Sequence, residues 1–202
     1  NFFVPSTDGT TYCFGSAGSV WARSGDGAWN FVYNDDHGAI NGAAEWEHSD
    51  ANNYLYWATA TTISRRLLNG TPAVPWGAGE VTTDYKVDLT SATWHTMKPA
   101  NGALYIANAE NLAEIAYDGS YDADALNIRP GNIINTLDEA DDNVILGSGR
   151  TDNSEEGHLW RWDTATANWE KKKKIPVQGI NALINTELQL LQGGNDGEIF
   201  YS

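Results

Sequence analysis

The most constraining feature of this chain is a phrase that recurs. A short apolar strand is followed by a gap, a second apolar strand ending in small residues, and then a third. Near the C-terminus it reads Ile180-Asn181-Ala182-Leu183, Leu188-Gln189-Leu190-Leu191-Gln192-Gly193-Gly194 and Glu198-Ile199-Phe200-Tyr201. The same order runs through Ile134-Asn135-Thr136-Leu137, Val144-Ile145-Leu146-Gly147-Ser148 and Leu159-Trp160-Arg161-Trp162-Asp163. A unit this small cannot bury its own apolar face, so it must stack on copies of itself.

Five units are read. First strands fall at Phe2–Val4, Ala39–Ala43, Trp94–Met97, Ile133–Leu137 and Ile180–Ile184. Second strands fall at 12–15, 54–58, 104–107, 144–147 and 188–191, and third strands at 20–23, 63–67, 112–117, 159–162 and 198–201. Fourth strands are expected at Trp29–Tyr33, Tyr85–Leu89, Ala125–Ile128 and Trp169–Ile175. The period is roughly 40–50 residues, the range of four-stranded propeller blades. The expected fold is therefore all-β: a single β-propeller of about five blades of up to four antiparallel strands, with the last blade incomplete. The units span approximately 1–37, 38–92, 93–130, 131–177 and 178–202. The fifth stops after its third strand, so one blade is short or the protein continues. Asn1 in place of Met likewise reads as processing, excision from a longer protein, or an incomplete sequence.

Composition agrees. Nine Trp and nine Tyr favour pleated, half-buried surfaces, and 20 Gly interrupt them. Asp26-Gly27, Asn69-Gly70, Asp118-Gly119 and Asp196-Gly197 supply turn residues that tolerate positive φ. The stretch Asn108 to Ala116 is easily misread as a helix, but its place in the repeat makes it a strand hairpin. A longer insertion, Gly70 to Thr83, contains Trp76 between Pro75 and Gly77, and Trp76 is expected to be exposed. Trp21, Trp57, Trp160 and Trp162 are expected to pack between blades.

The net charge of −15 repels phosphate backbones, which argues against nucleic acid as a partner. Lys171 to Lys174 fall in a predicted outermost strand, where lysines prevent edge-to-edge pairing. Cys13 is the only cysteine, so there is no intrachain disulfide and no cysteine zinc site. No apolar run approaches a membrane span, and no signal peptide opens the chain.

Chemistry is sparse. His37, His48, His95 and His158 lack metal-ligand spacing, and neither a phosphate loop nor a Gly-x-Ser-x-Gly elbow occurs. No cofactor is expected. If a metal binds, calcium suits the hard oxygens of Asp35-Asp36 or of Asp138-Glu139 with Asp141-Asp142, although solvated acidic turns explain them as well. The loops joining first to second strands hold Asp8, Trp46-Glu47-His48-Ser49-Asp50, Asn101, Asp141-Asp142-Asn143, Asn185 and Glu187. Rings beside amides and carboxylates suit sugar binding, so the candidate ligand-binding residues are Trp46, His48, Trp76 and Asp141. Asn41, Asn135 and Asn181 take equivalent places in three first strands, where amides serve blade-to-blade hydrogen bonding or a small ligand.

Three resemblances bear on this. Leu146-Gly147-Ser148 with Gly157-His158-Leu159-Trp160-Arg161-Trp162-Asp163 resembles the second and third strands of a WD-type blade. Gly18 to Trp29 resembles the Asp-box hairpin of sialidase-like propellers, with its Trp too early. A wider stretch is similar to propeller-like proteins of tailed bacteriophages: Trp94-His95-Thr96-Met97-Lys98-Pro99, Leu104-Tyr105-Ile106-Ala107-Asn108, Ala125 to Asn132 and Asp152 to His158. That similarity implies a virion or tail-associated, or extracellular, protein. The resulting expectation is a non-enzymatic module whose partners are other virion proteins or a cell-surface glycan. The alternatives are a lectin-like propeller and a sialidase-like glycoside hydrolase. For the last, Ile128-Arg129-Pro130 only scrambles the Arg-Ile-Pro signature, and Arg23, Arg65 and Arg161 sit on third strands.

Overall fold

The computed structural model describes residues 2–68, 75–77, 79–128, 130–152, 156–166, 168–186, 189–194 and 197–201. Among these residues the chain forms five antiparallel sheets, each a run of strands paired in sequence order. The first contains β1 (Phe2–Pro5), β2 (Thr10–Phe14), β3 (Ser19–Ser24) and β4 (Asn30–Asn34). The second contains β5 (Gly42–Glu47), β6 (Asn53–Ala58), β7 (Ile63–Leu67) and β8 (Val81–Lys86). The third contains β9 (Met97–Ala100), β10 (Ala103–Asn108), β11 (Asn111–Ala116) and β12 (Tyr121–Asn127). The fourth contains β13 (Asn132–Ala140), β14 (Asn143–Arg150), β15 (Gly157–Asp163) and β16 (Asn168–Ile175). The fifth has three strands, β17 (Ile180–Asn185), β18 (Leu190–Gly194) and β19 (Ile199–Tyr201).

Two compact units result: Asn1–His95 with Tyr117–Ser120, and Thr96–Ala116 with Tyr121–Ser202. The core of the first gathers Tyr12, Phe14, Val20, Leu55, Trp57 and Trp76. Two clusters stand out among the described residues of the second. One joins Leu112, Leu126, Ile134, Leu146, Trp160 and Trp162, and the other joins Ile145, Leu159, Ile175, Ile180 and Leu183. Alternation along β15 explains the split: Leu159 points to one cluster, while Trp160 and Trp162 point to the other. A sheet buried on both faces needs apolar residues at successive positions, and β10 and β14 have them.

β6, β10 and β14 cover their expected residues, β2 and β18 are offset from theirs, and Asn111–Ala116 is a strand rather than a helix. β16 is the outer strand of its sheet, with Lys174 paired to Glu156 at 2.8 Å. Several other strands are displaced. The expected first strand Ala39–Ala43 begins instead at Gly42, because Asn41 is used otherwise. Its side-chain amide donates to the Ala92 carbonyl at 2.9 Å, and its own carbonyl accepts from the His95 N–H at 2.8 Å. The strand expected at Trp94 starts at Met97, the one at Tyr85 occupies Val81–Lys86, and the one at Ala125 occupies Tyr121–Asn127. Trp21 does not pack between sheets. It is 39% exposed and meets Phe31 edge to face, whereas Trp57, Trp160 and Trp162 are buried as expected.

Candidate functional site

The turns between first and second strands are cross-linked rather than open. In the first unit Glu45 accepts from the Thr7 N–H at 2.8 Å and from the Thr7 hydroxyl, and the Asn53 amide donates to Thr7 Oγ1 at 2.9 Å. In the second, Lys98 reaches Asp138 at 2.7 Å, and the Asn185 N–H donates to the same carboxylate at 2.5 Å. Asn101 donates to Thr164 Oγ1 at 2.8 Å, and that hydroxyl donates to the Asp142 carbonyl at 2.7 Å. Much of the polarity in these turns therefore satisfies protein groups.

Asp35 is likewise committed. Buried, it accepts from Trp57 Nε1 at 2.7 Å, Ser64 Oγ at 3.1 Å, the His37 N–H at 2.9 Å and the His37 ring at 2.8 Å. The His37 pKa is raised, chiefly by that hydrogen bond. Calcium at Asp35 or Asp138 would have to displace these donors. Among the described residues no three His, Cys, Asp or Glu side chains gather in a metal-binding group.

Trp76 corrects the expectation of an exposed ring. It is 7% exposed, stacks on Tyr33 with ring centres 5.6 Å apart, and lies 4.6 Å from the Arg66 guanidinium carbon. A ring this large recovers more free energy by burial than by display. Trp46 is also buried at 7%, because β5 extends through it and pairs it with Tyr54. It and His48 form one aromatic group with Tyr54, Tyr56 and Tyr117. Arg65 completes the group, 4.3 Å from the Tyr54 ring and 3.8 Å from Tyr85. The pKa of the Tyr56 hydroxyl is pushed up to about 12 by burial.

Asp141 differs, for it borders a cleft of about 340 Å³ in the second unit. Ala140, Ile145, Leu159 and Leu190 give the cleft an aliphatic wall where the core cluster between the fourth and fifth sheets opens. Arg161 and Lys173, from β15 and β16, add two cations, and Arg161 Nη2 lies 3.9 Å from Asp141 Oδ2. Trp160 also borders the cleft, but its indole belongs to the opposite core and donates to Ser148 Oγ at 2.9 Å. Only Asp141 among the four candidate ligand-binding residues lines this cleft. Nothing in the sequence marks Lys173 and Leu190 as lining residues, whereas the side-chain alternation of β15 places Leu159 and Arg161 on one face.

A second cavity in this unit, of about 280 Å³, is polar. Asn135, Gln178, Asn181, Arg150 and Thr151 line it, and Asn135 Nδ2 donates to Asn181 Oδ1 at 2.9 Å. These are two of the three asparagines singled out in first strands. Asn41 is engaged elsewhere, within the first unit.

No protein-family model matches the chain, and no curated protein matches it. Solved structures do. A protein of unknown function from Bacteroides caccae aligns with 95% of this chain and 69% of its own, at 10% identity and TM-score 0.62. The computationally designed Ika8 protein aligns with 97% of this chain and 56% of its own, at 14% identity and TM-score 0.62. A chain of the mitotic checkpoint complex aligns with 100% of this chain and 61% of its own, at 12% identity and TM-score 0.60. At such identities the likeness is one of fold. The chain is an all-β repeat protein of propeller type, and it spans between 56% and 69% of the length of these three matches.

Proposed function

We propose that this chain is a non-enzymatic recognition module that holds a protein partner at the cleft beside Asp141. The observation that carries the reading is the pairing of an aliphatic wall with Arg161 and Lys173. A cleft with apolar lining and a few convergent polar groups is the usual form of a binding site. Among the described residues the indole that borders it, Trp160, is committed to the other side of its sheet rather than offered to a sugar ring. What fits is an aliphatic side chain carried beside a carboxylate on a polypeptide. The apolar part would displace water from the wall, and the carboxylate would meet the two cations.

The virion or tail setting rests on the sequence similarity to phage propeller proteins. In that setting the partner is another virion protein. Mass spectrometry of virus particles purified from the source of this sequence tests this directly: the chain is expected among the structural proteins, and its absence would remove the setting.

The cleft itself is tested by fluorescence anisotropy with short peptides that place leucine next to glutamate. The wild-type chain is expected to bind them, and Arg161→Glu to weaken binding by about tenfold or more, near 1.4 kcal/mol. Raising the salt concentration should weaken binding as well, since Arg161 and Lys173 are partly exposed. Equal affinity in the wild type and Arg161→Glu would sink the reading, as would failure of every such peptide to bind.

A further inference from the structure

The polar cavity calls for a different ligand. Its lining places three primary amides, Asn135, Gln178 and Asn181, around one space with the Thr151 hydroxyl. A primary amide carries two N–H donors and an oxygen with two lone pairs, so capacity beyond the Asn135–Asn181 bond matches neighbouring hydroxyls of a polyol. The Asn135–Asn181 hydrogen bond fixes the orientation of the first amide. Asn135 Oδ1 accepts no hydrogen bond among the described residues. Two backbones that line the cavity cross closely. Gly149 bridges to Gly179, and a Cβ on Gly149 would stand 2.8 Å from the Gln178 carbonyl and 2.9 Å from Gly179 Cα. The lining charge is balanced, because Arg150 is bound by Asp152 through both Nε and Nη2 at 2.8–3.2 Å.

We infer that this cavity is a binding site for a neutral hydroxylated ligand, the size of one sugar residue. Its volume lies near the lower end of small-molecule sites, roughly 300–1,000 Å³. A charged ligand is disfavoured because Asp152 already neutralises Arg150. With Ile133 as the one aliphatic side chain among the described lining residues, apolar burial adds little, and affinity falls about in the millimolar range. The site is separate from the Asp141 cleft, which shares no lining residue with it.

Saturation-transfer NMR of the full chain with D-mannose, D-galactose and sodium sulfate as separate probes tests the inference. One or both hexoses are expected to show transfer, and sulfate is expected not to compete with them. Asn181→Leu should abolish the hexose signal. Gln178→Ala, at an exposed position, should reduce it several-fold without disturbing the fold, and Arg161→Glu should leave it intact. No transfer to either hexose, transfer that survives both amide substitutions, or displacement of the hexose by sulfate would overturn the inference.

Discussion

At the scale of single residues, buried polar groups decide more than the exposed aromatics do. The buried Asp35 carboxylate gathers three side chains and a backbone N–H. Replacing it with alanine should cost about 3 kcal/mol, because the Trp57 and Ser64 donors are then left buried and unpaired. Asp35→Asn would fare little better, since the new amide N–H groups would face other donors. Urea unfolding followed by tryptophan fluorescence measures both. The neighbouring His37 gives the same cluster a pH signature. Its pKa is raised in the folded chain, so its stabilisation is complete below the unfolded value of about 6.5 and is lost as pH rises through the folded value. His37→Gln should flatten the pH dependence of Tm across that window. Glu114 gives the same direction of pH dependence for a different reason. Burial first, then Asp122 directly opposite on β12, raises its pKa. Such a carboxylate weakens the fold progressively as pH rises from its unfolded pKa through its folded one, so Glu114→Gln should raise Tm at pH 7 and leave it nearly unchanged at pH 4. Residues of this kind were only partly legible in the sequence. Asp35 reads there as a solvated acidic turn or a candidate cation ligand, because its donors come from strands 22 and 29 positions away.

At the scale of the strand, legibility follows burial. β7 lies at the expected residues, and β14, buried along nearly its whole length, is found where its apolar run stands. β8 reads Val-Thr-Thr-Asp-Tyr-Lys and is largely solvent-facing, so it has no buried stripe to announce it. That is why it lies four residues before its expected start. The cleft was legible only at Asp141, because Leu190 and Lys173 reach it from separate strands through pairing partners rather than through spacing. Turns carry clearer information. Gly119 has φ of +84°, and a Cβ there would stand 2.7 Å from His48 Nε2 and 3.2 Å from the Tyr85 hydroxyl. Gly119→Ala therefore meets both a strained backbone and a packed aromatic group. A loss of about 2 kcal/mol is expected, read from the shift in urea midpoint. Gly25→Ala is the control: its φ is also positive, but nothing lies within 4 Å of the added Cβ, so only the backbone component should appear.

At the scale of the whole chain, charge and exposed rings oppose each other. Strand register aligns Phe3, Cys13, Trp21 and Phe31 across one face of the first sheet. Phe3 is 61% exposed and meets Trp29 edge to face, and Trp21 does the same with Phe31. Contiguous apolar surface of this kind drives association when nothing holds copies apart. At neutral pH a net charge of −15 supplies that repulsion. The isoelectric point is near 4.4, so repulsion vanishes as pH falls toward it. Light scattering should therefore rise steeply between pH 6 and about 4.4 while circular dichroism still reports β structure. The double substitution Trp21→Thr with Phe31→Thr keeps β-forming residues on both strands and leaves the charge unchanged. It should shift the onset of scattering to lower pH and reduce its extent. If the double variant scatters as the wild type does, the aromatic face is not the adhesive surface. If the wild type shows no scattering at its isoelectric point, the exposed rings are too dispersed to act together.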